Sequence, residues 1–173
     1  MFGNQQTVTL DAYVQRLSQM TEPVTMWTLD ANGEVIPHFQ VDGAIIQNLM
    51  VDEATLRSQV DRIASEQMHW GRITARQQRC HAVRERQLRQ WKARVELEFR
   101  KAQDDLGKKT TEAMVEAHYR TAPEYAVVQV NVEACAEAAM VADVIYSAFR
   151  SKREMLRTDI VRVPDGSLQR LSP

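Results

Sequence analysis

From Glu53 to Leu106 the chain contains no proline and a single glycine, Gly71. Proline breaks a helix interior and glycine weakens it, so a run clear of both can stay helical throughout. Apolar residues recur along it at helical spacing. Leu56, Val60, Ile63, Trp70 and Ile73 come first, then Leu88, Trp91, Val95, Phe99, Ala102 and Leu106. Asp52 suits the N-cap, and Glu53 the first turn, where the helix dipole favours an acid. One straight helix over this span is roughly 80 Å long. That is long for a chain of 173 residues. The span therefore predicts a coiled-coil-like pairing, a break near Gly71, or both.

Gly107 is the expected stop, with Lys108 and Lys109 just past the carboxyl end, where cations are favoured. Thr110 or Thr111 can cap a short helix, TEAMVEAHYR. Thr121-Ala122-Pro123-Glu124 reads as a capping box with proline in the first turn. The helix it opens carries the stripe Val127, Val130, Ala134, Val141, Ile145 and Phe149, and is expected to reach about Asp159. The tail VRVPDGSLQRLSP, residues 161–173, is polar and expected to be loose.

Residues 1–52 have a different grain. Thr9 is a plausible N-cap for a short helix with Leu10, Val14 and Leu17 on one face. Asn32-Gly33 lies between two strand-like runs, MWTL and EVI, which is a hairpin signal. Pro37 should end the second strand or place it at an edge. Asp42-Gly43 marks another turn, and Ala44–Val51 reads equally as a short helix or an extended piece. The expected fold is mainly α. A long helical hairpin or coiled-coil-like bundle at 53–160 would carry a small α+β module at 1–52.

Charge is sorted along the chain. The formal net charge is −1, yet residues 1–53 carry one base, Arg16, against seven acids. Residues 70–101 carry ten bases against three acids, and eight of the ten are arginine. Residues 102–160 return to an acidic balance, with seven bases and ten acids. A basic segment inside an acidic frame bears on partners rather than on fold. Arginine matches phosphate with a planar fork and stacks on bases better than lysine does. The arginines of this segment read either as a phosphate-binding surface or as a solvated face answered by the acids elsewhere. Few acids share the helix for pairing one turn away. Trp91 and Phe99 read first as core, because they keep the period of the apolar stripe, and second as stacking platforms.

Other chemistry finds little footing. Cys80 and Cys135 form no CxxC pair, which fits a reduced cytoplasmic protein without a structural metal. His38, His69, His81 and His118 have no ligand spacing. Gly107-Lys108-Lys109-Thr110 lacks the leading glycine of a phosphate loop and follows a helix instead of a strand. No nucleophile elbow or glycine-rich cofactor loop is present. The chain therefore reads as non-enzymatic, with no cofactor. The opening MFGNQQTVTLD lacks a basic region followed by an apolar run, so no signal peptide is expected. No apolar run is long enough to span a membrane.

Trp91-Lys92-Ala93-Arg94-Val95 resembles the Leu-Lys-Ala-Arg-Leu motif in the DNA-binding helix of UvsY-type phage recombination mediators. Met68-His69-Trp70 is similar to the helix leading into that motif. The Gly107–Ala113 turn, Arg120 and Pro123-Glu124-Tyr125 resemble the connection that follows it. Ala148–Leu156 is similar to the carboxyl-terminal helix. The resemblance covers roughly residues 55–157. Trp91 and Val95 stand where that family has leucines, and the first 52 residues have no counterpart.

The resemblance implies a protein that binds single-stranded DNA and contacts a phage recombinase and a single-strand-binding protein. It would help the first replace the second on the strand, as a ring-like homo-oligomer in the host cytoplasm. It carries Lys92 and Arg94 over as DNA contacts, and residue chemistry adds Arg86, Arg89 and Arg100. The competing class is a helical scaffold or adaptor, or a phage inhibitor of a host protein. Such a protein would use its charges, the acidic N-terminal module above all, for protein contacts.

Overall fold

The computed structural model describes residues 9–52 and 56–162. In chain order these form α1 (Leu10–Ser18), β1 (Val24–Leu29), β2 (Val35–Val41), α2 (Ile45–Leu49), α3 (Leu56–Asp105), α4 (Glu112–Thr121) and α5 (Pro123–Arg162). The protein is mainly α, with a single two-stranded sheet among the described residues. Glu53, expected in the first turn of the long helix, lies outside the described residues, as does the tail beyond residue 162. Contacts divide the chain into two compact units. One comprises residues up to Val24, Gln40–Thr74 and the chain from Met140; the other comprises Thr25–Phe39 and Ala75–Ala139. Each unit thus combines part of the first 52 residues with parts of the long helices.

In the first unit, α1 packs on α2. Leu17, Leu49, Ile63, Trp70, Ile73, Val141, Ile145, Phe149 and Leu156 are buried. The helices α3 and α5 run antiparallel here: Thr74 donates to the carbonyl of Ala142 at 3.0 Å, and Arg153 to Gln67 at 3.0 Å. Thr9 takes the N-cap position of α1, but its side chain makes no capping bond. Ala44–Val51, ambiguous in the sequence, holds the helix α2. Lys152 is buried and donates to the carbonyls of Asn48 (2.9 Å) and Met50 (2.8 Å).

Of the alternatives for the long span, the break near Gly71 does not occur; α3 is continuous across it. A Cβ at Gly71 would lie 3.2 Å from the Tyr146 ring. The glycine lets the Tyr146 ring of α5 come close, at a helix cost of about 1 kcal/mol.

In the second unit, the β1–β2 hairpin turns on Asp30, whose carboxylate accepts from the amides of Asn32 (2.9 Å) and Glu34 (2.8 Å). Gly33 supplies the positive φ of 80° that the turn requires. Pro37 lies inside β2, which is tolerated because both strands of a two-stranded sheet are edges. Val35, Cys80 and Cys135 form a buried cluster flanked by Trp27, Leu29 and Val83.

Helix α3 ends as its sequence implies. Gly107 has φ +67°, its amide donates to Asp104, and that of Lys108 donates to Gln103 at 3.0 Å. That is a Schellman stop. Thr111 then caps α4 by accepting from the amide of Met114 at 3.3 Å. The capping box at Thr121 does not form. Thr121 is the last residue of α4 and its hydroxyl donates back to His118, while extended Ala122 precedes Pro123. With only one residue between the two helices, Thr121 is taken by the end of the first and cannot open the second.

The apolar stripes are only partly covered. No residue from 81 to 105 is fully buried. Ala102 is exposed, and Leu106 keeps 65% of its surface. On α5, Val141, Ile145 and Phe149 are buried as expected, but Val127 (63% exposed) and Val130 (60%) are not.

Candidate nucleic-acid interface

The second unit contains most of the basic segment, and α3 sorts its charges around the helix. At 3.6 residues per turn, Arg76, Arg79, Arg86, Arg94 and Lys101 fall within an arc of roughly 80°. All five are exposed. Among the described residues none of them makes an ion pair or side-chain hydrogen bond. From Arg76 to Lys101 the stripe runs about 38 Å along the helix.

The opposite flank is paired. Glu85 lies 3.9 Å from Arg89 and 3.8 Å from His81. Glu96 holds Arg100 at 2.7 Å, and Arg100 also bonds Glu112 of α4. These two carboxylates raise the Arg100 guanidinium above its usual range. The packed face carries Gln77, Arg84, Trp91, Lys92, Val95 and Phe99. Arg84 donates to the carbonyl of Val35 at 2.8 Å and to Gln87 at 3.0 Å.

Lys92 is half-buried. Its ammonium stands 5.0 Å from the Tyr119 ring centroid and 5.4 Å from that of Tyr125. This places a cation against the negative faces of two rings. Trp91 lies 5.9 Å from Tyr125, and Phe99 stacks on His118 at 4.3 Å.

The five residues singled out in the sequence therefore separate. Arg86 and Arg94 stand on the unpaired stripe. Arg89 and Arg100 face carboxylates, and Lys92 sits over tyrosine rings. Arg76, Arg79 and Lys101 belong to the stripe and were not singled out. Their signal was present in the sequence: Arg89 and Arg100 each have a glutamate four residues earlier, whereas Arg76, Arg79, Arg86 and Arg94 have none.

Two shallow hollows border the stripe. One is lined by Thr28, Leu29, Ala75, Arg76 and Arg79, the other by Gln87, Gln90, Trp91 and Arg94. Burial pushes the Cys80 thiol above its ordinary range, against the fields of Arg76, Arg79 and Arg84. Burial likewise raises Cys135, so neither thiol is an activated nucleophile. Among the described residues no three His, Cys, Asp or Glu side chains converge as a metal centre requires. None of the described helices is long and apolar enough to cross a membrane. Comparison with protein-family models, curated proteins and solved structures finds no match to this chain.

Proposed function

We propose that this chain is a non-enzymatic single-stranded DNA-binding protein that acts as a recombination mediator. In that role it would help a phage recombinase displace a single-strand-binding protein. The observation that carries the reading is the stripe Arg76, Arg79, Arg86, Arg94 and Lys101, five exposed bases with no acidic partner among the described residues. Unpaired bases along one face of a helix suit a phosphate backbone, and each phosphate neutralised releases a counterion. The resemblance of Trp91–Val95 to the mediator motif supports the finer role. Assembly of several copies, with Val127 and Val130 among the apolar side chains to be covered, would multiply weak contacts into avidity.

The test is fluorescence anisotropy of a labelled single-stranded oligonucleotide across a salt series. Wild type is expected to lose affinity steeply as salt rises. Arg86→Ala/Arg94→Ala is expected to bind more weakly and to flatten the logarithmic salt slope by about 1.4, the share of two phosphates on a single strand. Lys92→Ala should leave the slope nearly unchanged, because its charge is directed at tyrosine rings. Wild type that fails to bind at moderate salt would remove the proposal.

A second reading, a protein adaptor, is favoured by α5. There Val127 and Val130 are exposed on a stretch, residues 123–139, whose only charges are Glu124, Glu133 and Glu137. That face suits a basic, partly apolar partner. Protein capture that persists when the arginine stripe is neutralised would favour it.

A further inference from the structure

Trp91 stands at the boundary between the packed face of α3 and the unpaired arginine stripe. One side of its indole is directed to Tyr125, with centroids 5.9 Å apart and planes inclined by 31°. The residue is only half-buried, and it borders the hollow it shares with Gln87, Gln90 and Arg94. Gln87 is already engaged: it accepts from Arg84 and donates to Glu34 at 3.3 Å. Gln90 is exposed and makes no side-chain hydrogen bond among the described residues. The hollow therefore offers an aromatic surface, one uncommitted amide and one uncommitted guanidinium.

The other aromatic on this stretch of α3 does not offer the same. Phe99 is stacked at 4.3 Å on His118, with planes 18° apart. Phe99 also lies on the packed face between Val95 and Lys92, away from the stripe.

We infer that the open side of Trp91 is a stacking platform for one unpaired base of a strand whose phosphates follow the Arg76–Lys101 stripe. The inference rests on the single-stranded DNA reading above and adds the place where the strand's bases, as distinct from its phosphates, are met. Arg94, one turn along, holds the adjoining phosphate, and Gln90 is within the same hollow to meet a base edge. A duplex cannot use this platform, because its bases are already stacked. Stacking is tolerant of sequence, since every base has a π-face.

The experiment uses the full chain and three probes of equal charge: an oligo-dT strand, an abasic strand of the same length, and inorganic polyphosphate. Wild type is expected to bind oligo-dT at least about fivefold tighter than the abasic strand. Oligo-dT is expected to quench indole emission, and the other two probes are not. Trp91→Leu keeps an apolar contact for Tyr125. It is expected to bind oligo-dT and the abasic strand alike, with abasic affinity unchanged.

Equal wild-type binding of oligo-dT and the abasic strand, both salt-sensitive, overturns the platform and leaves the arginine stripe standing. A base preference that survives Trp91→Leu also overturns it. Absence of binding to any of the three probes overturns the nucleic-acid reading itself. If Trp91→Leu does not fold, as judged by circular dichroism, quenching in Trp27→Phe, whose other indole, Trp70, is buried, decides the matter. Quenching by oligo-dT alone supports the platform, and no base-dependent quenching overturns it.

Discussion

Gln77 shows how one side chain fixes a strand to a helix. It is 1% exposed, and its carboxamide meets the backbone of Trp27 twice. The Trp27 amide donates to Oε1 at 2.8 Å, and Nε2 donates to the Trp27 carbonyl at 3.0 Å. A carboxamide is a peptide group in miniature, so Gln77 serves the edge of β1 as a neighbouring strand would. Gln77→Leu keeps the volume and removes both bonds, leaving a backbone donor and acceptor without partners. It is expected to destabilise the protein by about 3 kcal/mol, measurable by urea unfolding. Nothing in the sequence marks Gln77 among the many polar residues of α3. Its partner is 50 residues away, and only the fold brings them together.

At the scale of elements, α2 is too short to stand alone, and its carboxyl end is held by Lys152 from α5. The ammonium donates to the carbonyls of Asn48 and Met50, groups that a helix end leaves without intrahelical partners. Burial is the main cause of a lowered Lys152 pKa; Arg62 adds to it and Glu66 opposes it. In the window between the lowered pKa and the ordinary value of 10.5, the unfolded chain binds the proton more tightly than the folded one. Stability from this group therefore rises with pH across that window and is lost again as pH falls through the folded pKa. Lys152→Met removes both carbonyl bonds. It is expected to lose about 1–3 kcal/mol at neutral pH and to flatten this alkaline rise, read from thermal unfolding at several pH values. The long elements themselves were legible in the sequence. Gly107 stops α3, Thr111 caps α4, and Asn32-Gly33 turns the hairpin, because each depends on backbone conformation within a few residues. Thr121 was misread because two adjacent helices compete for it. The choice left open at Gly71, a break or a continuous paired helix, was not legible because it turns on the Tyr146 ring, far along the chain.

At the scale of the whole molecule, the exposed apolar residues are informative. Val127, Val130, Leu97, Leu106 and Met140 each keep more than half their surface. Apolar side chains at helical spacing on α5 would be covered by self-association in the proposed mediator. Val127→Ser/Val130→Ser is expected to lower the mass found by light scattering and to weaken binding to long strands far more than to short ones, because avidity is lost. An unchanged mass would assign those valines elsewhere. The fate of the arginines was only half legible. Counting showed that the segment 70–101 is basic; the structure shows that its bases differ in kind, some committed to carboxylates or rings and others with no partner among the described residues.

The sequence by itself determined the long helices, the stop at Gly107, the cap at Thr111, the hairpin and the position of the basic segment. These follow from proline and glycine placement, short-range periodicity and local charge, all of which act over a few residues. Only the tertiary structure decided that α3 continues through Gly71, that Lys92 faces Tyr119 and Tyr125, and that Trp91 meets Tyr125. It also decided that the stripe of α5 is buried at Val141 and exposed at Val130. The physical reason is common to all four. Each depends on which surface another element covers, and that is set by residues dozens of positions apart, where local periodicity carries no information.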